Sequence, residues 1–499
     1  MQETRYHIEN ATYRRLALYL VAVFALFQAL YFALGVRFDG SSLPWFWQYL
    51  DPALLRTRLL ESVLYLHSQP PLFNLFLGIV LKLAPDREML LFQAIYLVCG
   101  LVFYWSIFSL QVELGVSKTI ALILSTLFMA SPSFVLYENW LFYTFPLATL
   151  VTLSALLLYE ALARDHRWAL WLFFTVLFLI AGIRSLFHFS FFIFVTAALA
   201  ILNPAHRRRI AVAALIPFIL LMSLYGKNQV LFGRFTTSTW MGMNVWTMTA
   251  RNLPLVQRLQ LIAEGKLSAV SQYDRFSELA RYPATYLLGT TQYEDIPALQ
   301  QVRKSTGYSN FNHVAYMSIA DDYLKDALYV LKHDPPTYVS GSLRSWYAYF
   351  RSSSDYVFLA ANRAKLAAIN DVYDYLFYGK IPFDLARVPH LPIYTDSRGH
   401  CLYLFLLVGL PLVVGYGLRL FFTDKSLTRA QRITIMYLCF VVIFVALLGN
   451  FLETGENNRF RFMTDPFSLA LLGLFMRRWV ARRLNRTSGA ARYPHNRPT

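Results

Sequence analysis

Pro71-Leu72-Phe73-Asn74-Leu75-Phe76-Leu77-Gly78-Ile79-Val80-Leu81-Lys82-Leu83 is an apolar run too short to cross a membrane. As a helix it covers only about 20 Å, against a hydrocarbon core of about 30 Å. Other apolar stretches surround it: Leu16 to Val36, Met89 to Leu110, Thr119 to Met129, Trp140 to Leu162, Trp168 to Ile183, Leu186 to Leu202, Ile210 to Tyr225, Cys401 to Phe422, Ile433 to Leu448 and Pro466 to Val480. If every one of them crossed from a cytoplasmic N-terminus, Arg207-Arg208-Arg209 would lie outside, against the preference of basic loops for the inner side. Reading Pro71 to Leu83 as a re-entrant or surface helix removes the conflict and leaves about ten crossings. Arg164-Asp165-His166-Arg167, Arg207 to Arg209, Lys425 to Arg432 and Arg477 to Arg486 then all fall inside.

Composition agrees with this all-α polytopic reading. The chain has 499 residues, 57% of them hydrophobic and 15% charged, which is too apolar for a soluble protein of this length. Its formal charge of +17 sits largely in short segments flanking the apolar runs, where it sets orientation and does not point to nucleic acid. Cys99, Cys401 and Cys439 fall within predicted spans, without the spacing of a disulfide framework or a thiolate metal site. The polar lead from Met1 to Arg15 is followed by Leu16 to Val36 with no small-residue cleavage pattern, so a retained first helix is expected.

Four regions follow: residues 1–225, a membrane module with outer loops; 226–398, a mainly helical outer domain; 399–482, the last membrane helices; and 483–499, a basic cytoplasmic tail expected to be disordered.

The same topology gathers polar side chains on the outer side. Asp39 follows the first helix by a few residues, and Gly40-Ser41-Ser42 lets the chain turn back. An ionised carboxylate there can serve as a general base, or simply be a solvated loop aspartate paired with Arg37. Asp51 opens Asp51-Pro52-Ala53, a helix start, so capping competes with substrate binding for it. Glu138 lies in the connection Ser131 to Trp140, as a second catalytic acid or as an N-terminal helix charge. In His67-Ser68-Gln69-Pro70-Pro71 the double proline switches the chain from extended to helical, while His67 and Gln69 can contact substrate. Trp47, within Trp45-Phe46-Trp47, can stack on a substrate or anchor at the interface. Arg184 and His188 lie between two spans, and Arg459 and Arg461 precede the last one; all four are candidates to bind a phosphate. Outward arginines run against the usual bias and suit phosphate oxygens, with snorkelling to lipid headgroups as the other reading. No Walker motif, dinucleotide fingerprint, HExxH or Gly-x-Ser-x-Gly elbow is present.

On Asp39, the His67 to Leu72 stretch, Glu138 and Glu456-Asn457-Asn458-Arg459-Phe460-Arg461, the chain resembles the GT-C integral-membrane glycosyltransferases, the superfamily of protein O-mannosyltransferases and the lipid A aminoarabinose transferase. The resemblance covers the membrane core, about two thirds of the chain. The first loop lacks a clear Asp-Glu or Glu-x-x-Tyr pair, which leaves Asp39 and Asp51 both open as the base. The resemblance implies an inverting transferase at the outer face of a bacterial cytoplasmic membrane. It would move a sugar from a polyprenyl-phosphate donor to a glycan, lipid or protein acceptor, with membrane lipids around it. No cofactor is required by that scheme, although carboxylates can recruit a divalent metal. A flippase for polyprenyl-linked glycans, or a glycan polymerase or ligase, are the competing functions. Transport predicts charges buried midway along several spans, whereas the polar residues here collect at one face.

Overall fold

The computed structural model describes residues 2–288, 293–382 and 401–490. In chain order its helices begin with α1 Gln2–Ala33, α2 Pro52–Thr57, α3 Leu59–Leu64, α4 Leu72–Leu83, α5 Glu88–Glu113, α6 Lys118–Met129 and α7 Pro132–Glu138. They continue with α8 Thr144–Ala163, α9 Arg167–Ile183, α10 Phe189–Leu202, α11 Arg207–Phe232, α12 Met241–Met248, α13 Leu255–Ala263 and α14 Pro297–Gln300. The rest are α15 Ala315–His333, α16 Pro335–Tyr349, α17 Ala360–Lys365, α18 Ala367–Tyr378, α19 Leu410–Thr423, α20 Arg429–Leu452, α21 Asn457–Phe462 and α22 Asp465–Ala490. Two three-residue strands, β1 Lys380–Pro382 and β2 Cys401–Tyr403, pair antiparallel. The chain is a mainly helical, multi-pass membrane protein.

Six of these stretches are long and apolar enough to cross a membrane: 15–33, 88–113, 144–163, 204–232, 405–423 and 429–452. Helices α6 and α7 would make a seventh span, bent by 57°. The bend has a local cause, because Ser131 caps a fresh helix whose first residue is Pro132. Helices α9 and α10 are apolar but shorter.

The bundle has two chemically different ends. At one end Arg164 reaches Glu113 at 2.7 Å, joining the C-termini of α8 and α5. Arg209 meets Asp165 there, Arg429 meets the Leu202 carbonyl and Arg478 meets Asp424. This is the basic end. At the other end Arg184, just past α9, pairs with Glu453, just past α20, at 2.8 Å. Helix α4 starts and stops at this second end: Leu72 packs on Gly182 near the end of α9, and Glu88 at the start of α5 bonds Arg56 of α2 at 2.6 Å. Its 12 residues are shorter than a single helix needs to span a hydrocarbon core.

Several boundaries differ from expectation. Helix α11 runs on to Phe232, past the expected domain boundary at 225. Cys401 lies in β2 and not in a span, and all three cysteines are free. The described part of 226–398 divides mainly between two cores, with a small third cluster of Leu299, Val314 and Met317. Residues from Trp240 to Val330 form their own cluster around Trp246, Tyr316 and Tyr323, whereas Tyr349, Tyr356, Leu359 and Leu366 join the membrane bundle. Residues 383–398 of that segment, and 491–499 of the expected tail, lie outside the described residues. Helix α22 continues through 483–490.

The outer core is clasped to the first loop. Lys304 donates to the Phe46 carbonyl at 2.8 Å, Ser305 gives Asp51 two hydrogen bonds at 2.6 and 2.7 Å, and Thr306 donates to the Pro44 carbonyl at 2.8 Å.

Candidate active site

The clasp and the bundle together enclose a polar cleft, lined by Trp47, Gln48, Gln69, Arg184, Ser185, Ser238, Trp240, Asn244, Arg275, Phe276, Glu453 and Glu456. Its walls come from four parts of the chain, and each is held for a local reason. Ser238 donates to the Ser68 carbonyl at 2.7 Å and the Thr239 amide to the His67 carbonyl at 3.1 Å, which sets Gln69 beside Trp240. Trp47 stacks between Phe46, at 4.4 Å, and Phe276, at 6.0 Å. Gly455, at φ 108°, makes the turn between α20 and α21 that only glycine adopts freely. Asn457 secures that turn by accepting from the Gly455 amide at 2.9 Å and donating to the Glu453 carbonyl at 3.0 Å.

Three guanidinium groups and two carboxylates meet here, leaving one positive charge in excess. Arg184 pairs with Glu453 and donates to the Tyr143 hydroxyl, with its guanidinium 5.0 Å from the Phe460 ring. Arg459, fully buried behind the cleft, pairs with Glu456, donates to Thr144 at 3.1 Å and lies 4.8 Å from the Phe142 ring. Glu456 also accepts from Tyr356 at 2.7 Å. Burial pushes the Glu456 carboxyl up, but Arg459 and then Arg184 outweigh it and hold it below the ordinary carboxylate range. Arg275 donates to Asn244 at 2.6 Å.

The cleft is under-satisfied. The Nε atoms of Arg184, Arg275 and Arg459 and the indole Nε1 of Trp240 are buried without a hydrogen-bond partner, as is Gln48 Oε1. Leaving such donors unpaired costs about 1–3 kcal/mol each, more for charged groups. Four of these five atoms are donors. Among the described residues, no three potential metal-ligating side chains come together.

Of the residues singled out from sequence, Trp47, Gln69 and Arg184 line this cleft, and Arg459 stands directly behind it. The others sit elsewhere. Glu138, expected in an outer connection, is a buried residue at the end of α7. It accepts from Gln28 of α1 at 2.6 Å and lies over Gly100 of α5, where a side chain would collide with it. Asp39 is half-exposed: its carboxylate accepts from the Ser41 amide at 2.9 Å, and its backbone bridges to Asn139 and Leu141. It connects to Arg459 through Trp140 and Phe142. Asp51 is buried, caps Ala53 at 2.9 Å and holds Ser305.

His67 is buried with both ring nitrogens engaged, Nδ1 with Thr239 at 2.9 Å and Nε2 with the Asn312 carbonyl at 3.0 Å. Burial pushes its pKa down to about 3, so it is neutral. His188 caps α10 through the Ser190 amide and packs on Phe189 and Tyr225. Arg461 donates to Asp465, Ser353 and the carbonyls of Tyr349 and Arg351. Sequence reasoning missed Arg275, Trp240 and Asn244. Their only signal was an aromatic and basic content within the outer segment.

No family model matches this chain, and no curated protein matches it. Among solved structures it is similar to the archaeal oligosaccharyltransferase AglB from Archaeoglobus fulgidus, in complex with an inhibitory peptide and a dolichol-phosphate, at 13% identity and a TM-score of 0.40. The match covers 96% of this chain and 53% of that one, so this chain spans about half the length of its neighbour.

Proposed function

We propose that this protein is a membrane glycosyltransferase that moves a sugar from a polyprenyl-phosphate donor to an acceptor at the cleft end of the bundle. The reading rests on one observation, the convergence of three guanidinium groups, each with its Nε unpaired, and the unpaired Trp240 indole N–H at and directly behind a cleft with excess positive charge. Phosphate oxygens are the acceptors that arginine forks suit best. Arg184 and Arg275 would bind the donor phosphate and Arg459 would neutralise it from behind. Trp47, Trp240 and Gln69 would hold the sugar.

In the transfer the acceptor's oxygen or nitrogen attacks the anomeric carbon as the carbon–oxygen bond to phosphate breaks. The bonding pair leaves on the phosphate, where the arginines stabilise the developing charge. The acceptor's proton passes to a carboxylate. Glu453 is the better-placed base, because it lines the cleft and its second oxygen makes no hydrogen bond among the described residues. Asp39 is the alternative, since it lies at the same end and is half-exposed. With the basic end taken as cytoplasmic, the cleft faces the outer side of the membrane, where no nucleotide sugar is supplied.

The test uses the full chain in nanodiscs with a panel of polyprenyl mono- and diphosphate sugars. Arg275→Gln is expected to weaken donor binding about tenfold or more. Comparing Glu453→Gln with Asp39→Asn separates the two bases, with the base variant losing about 100-fold in turnover while donor binding remains. Unaltered donor binding in both Arg184→Gln and Arg275→Gln, with normal folding, would overturn the proposal.

A further inference from the structure

At the basic end, the loops after α8 and α10 and the start of α20 surround a second cavity of about 720 Å³. Four arginines line it, Arg167, Arg208, Arg209 and Arg429, against a single carboxylate, Asp165, which is already paired with Arg209. Among the described residues the side chains of Arg167 and Arg208 make no ion pair or hydrogen bond, and both are exposed. Below the charges the wall is apolar, formed by Leu170, Trp171, Val212 and Ala213. Trp168 and Trp171 are 55% and 38% exposed beside it, the position of an interfacial aromatic belt. The cavity therefore has a cationic mouth and a greasy flank.

We propose that this cavity is a binding site for an anionic phospholipid, whose phosphate is held by Arg167 and Arg208 and whose acyl chains lie along α9 and α11. A soluble phosphate shares the anionic chemistry, but it would leave the apolar wall and most of the volume unused. A diffuse attraction to an anionic surface needs no cavity at all. The site lies at the opposite end of the bundle from the cleft and stands independently of the transferase reading.

Native mass spectrometry of the full chain, released from nanodiscs of phosphatidylcholine with a minor fraction of phosphatidylglycerol, tests this. The wild type is expected to retain phosphatidylglycerol in preference to phosphatidylcholine. In R167Q/R208Q retention falls roughly tenfold or more. R419Q/K425Q, which removes the same charge at exposed positions outside the cavity, retains it as the wild type does. Millimolar inorganic phosphate is expected not to displace the lipid. Equal retention of the two lipids, equal loss in both double variants, or unchanged retention in R167Q/R208Q would overturn the proposal. Displacement by inorganic phosphate would reassign the cavity to a soluble anion and overturn it too.

Discussion

Arg459 and Glu456 form an ion pair that is almost wholly removed from water, with Thr144 and Tyr356 completing the shell. Breaking such a pair strands a charge, which costs about 3–5 kcal/mol. Arg459→Met is therefore expected to lower the melting temperature sharply in a detergent unfolding assay. Arg459→Met with Glu456→Leu should recover part of that loss, because neither charge remains buried alone. His67 supplies a second residue-level expectation. Its folded pKa of about 3 lies below the ordinary histidine value of 6.5. The stability it contributes is complete above pH 6.5, because both states are then neutral, and is lost as the pH falls towards 3 and only the unfolded chain takes up a proton. Melting measured at pH 7 and pH 4.5 should show an acid-sensitive component that is missing in His67→Gln. At this scale the sequence was legible in part. Arg184 stood out because an arginine between spans needs a reason, and the structure gives it a cleft. Glu138 lies where it was read, at the connection from Ser131 to Trp140, but its burial against Gln28 and Gly100 has no local signal in the sequence.

Among the elements, the crossing of α12 and α15 is the tightest contact in the outer core. A Cβ on Gly242 would lie 1.9 Å from the Ala320 carbonyl oxygen and 2.9 Å from the Leu324 amide nitrogen, both backbone atoms. Gly242→Ala should therefore force the helices apart at a cost of about 1–3 kcal/mol. Limited proteolysis should report this as faster cutting within residues 240–330, with the bundle intact. Elements were the most legible level of the sequence, since apolar length and flanking charge mark helices well. Helix α4 is legible as a short apolar element from its length alone, and the structure gives it 12 residues. The split of 226–398 into two cores was not visible, because α16, α17 and α18 are amphipathic like the helices before them. Only tertiary contact shows that they pack on the bundle.

For the whole molecule, the separation of a basic end from a cleft end makes a topological prediction. A cysteine in place of Val256, on the exposed face of α13, should react with an impermeant thiol reagent in intact cells. A cysteine in place of Arg208 should react only after permeabilisation. Reaction of both from the same side would contradict a common orientation of the loops. The charge pattern anticipated this polarity. The cleft was not anticipated as a unit, because its residues are brought together by folding across hundreds of positions.

That dispersal has a consequence for biosynthesis. Trp47 and Gln69 leave the ribosome before Arg275, and Glu453 and Glu456 follow about 180 residues after that. Until then Arg184 lacks its carboxylate, so the site stays unfinished while most helices are already inserted. A premature stop after α20 has begun would leave a largely assembled outer core around a cationic hole, a state that membrane quality control could distinguish from the finished protein.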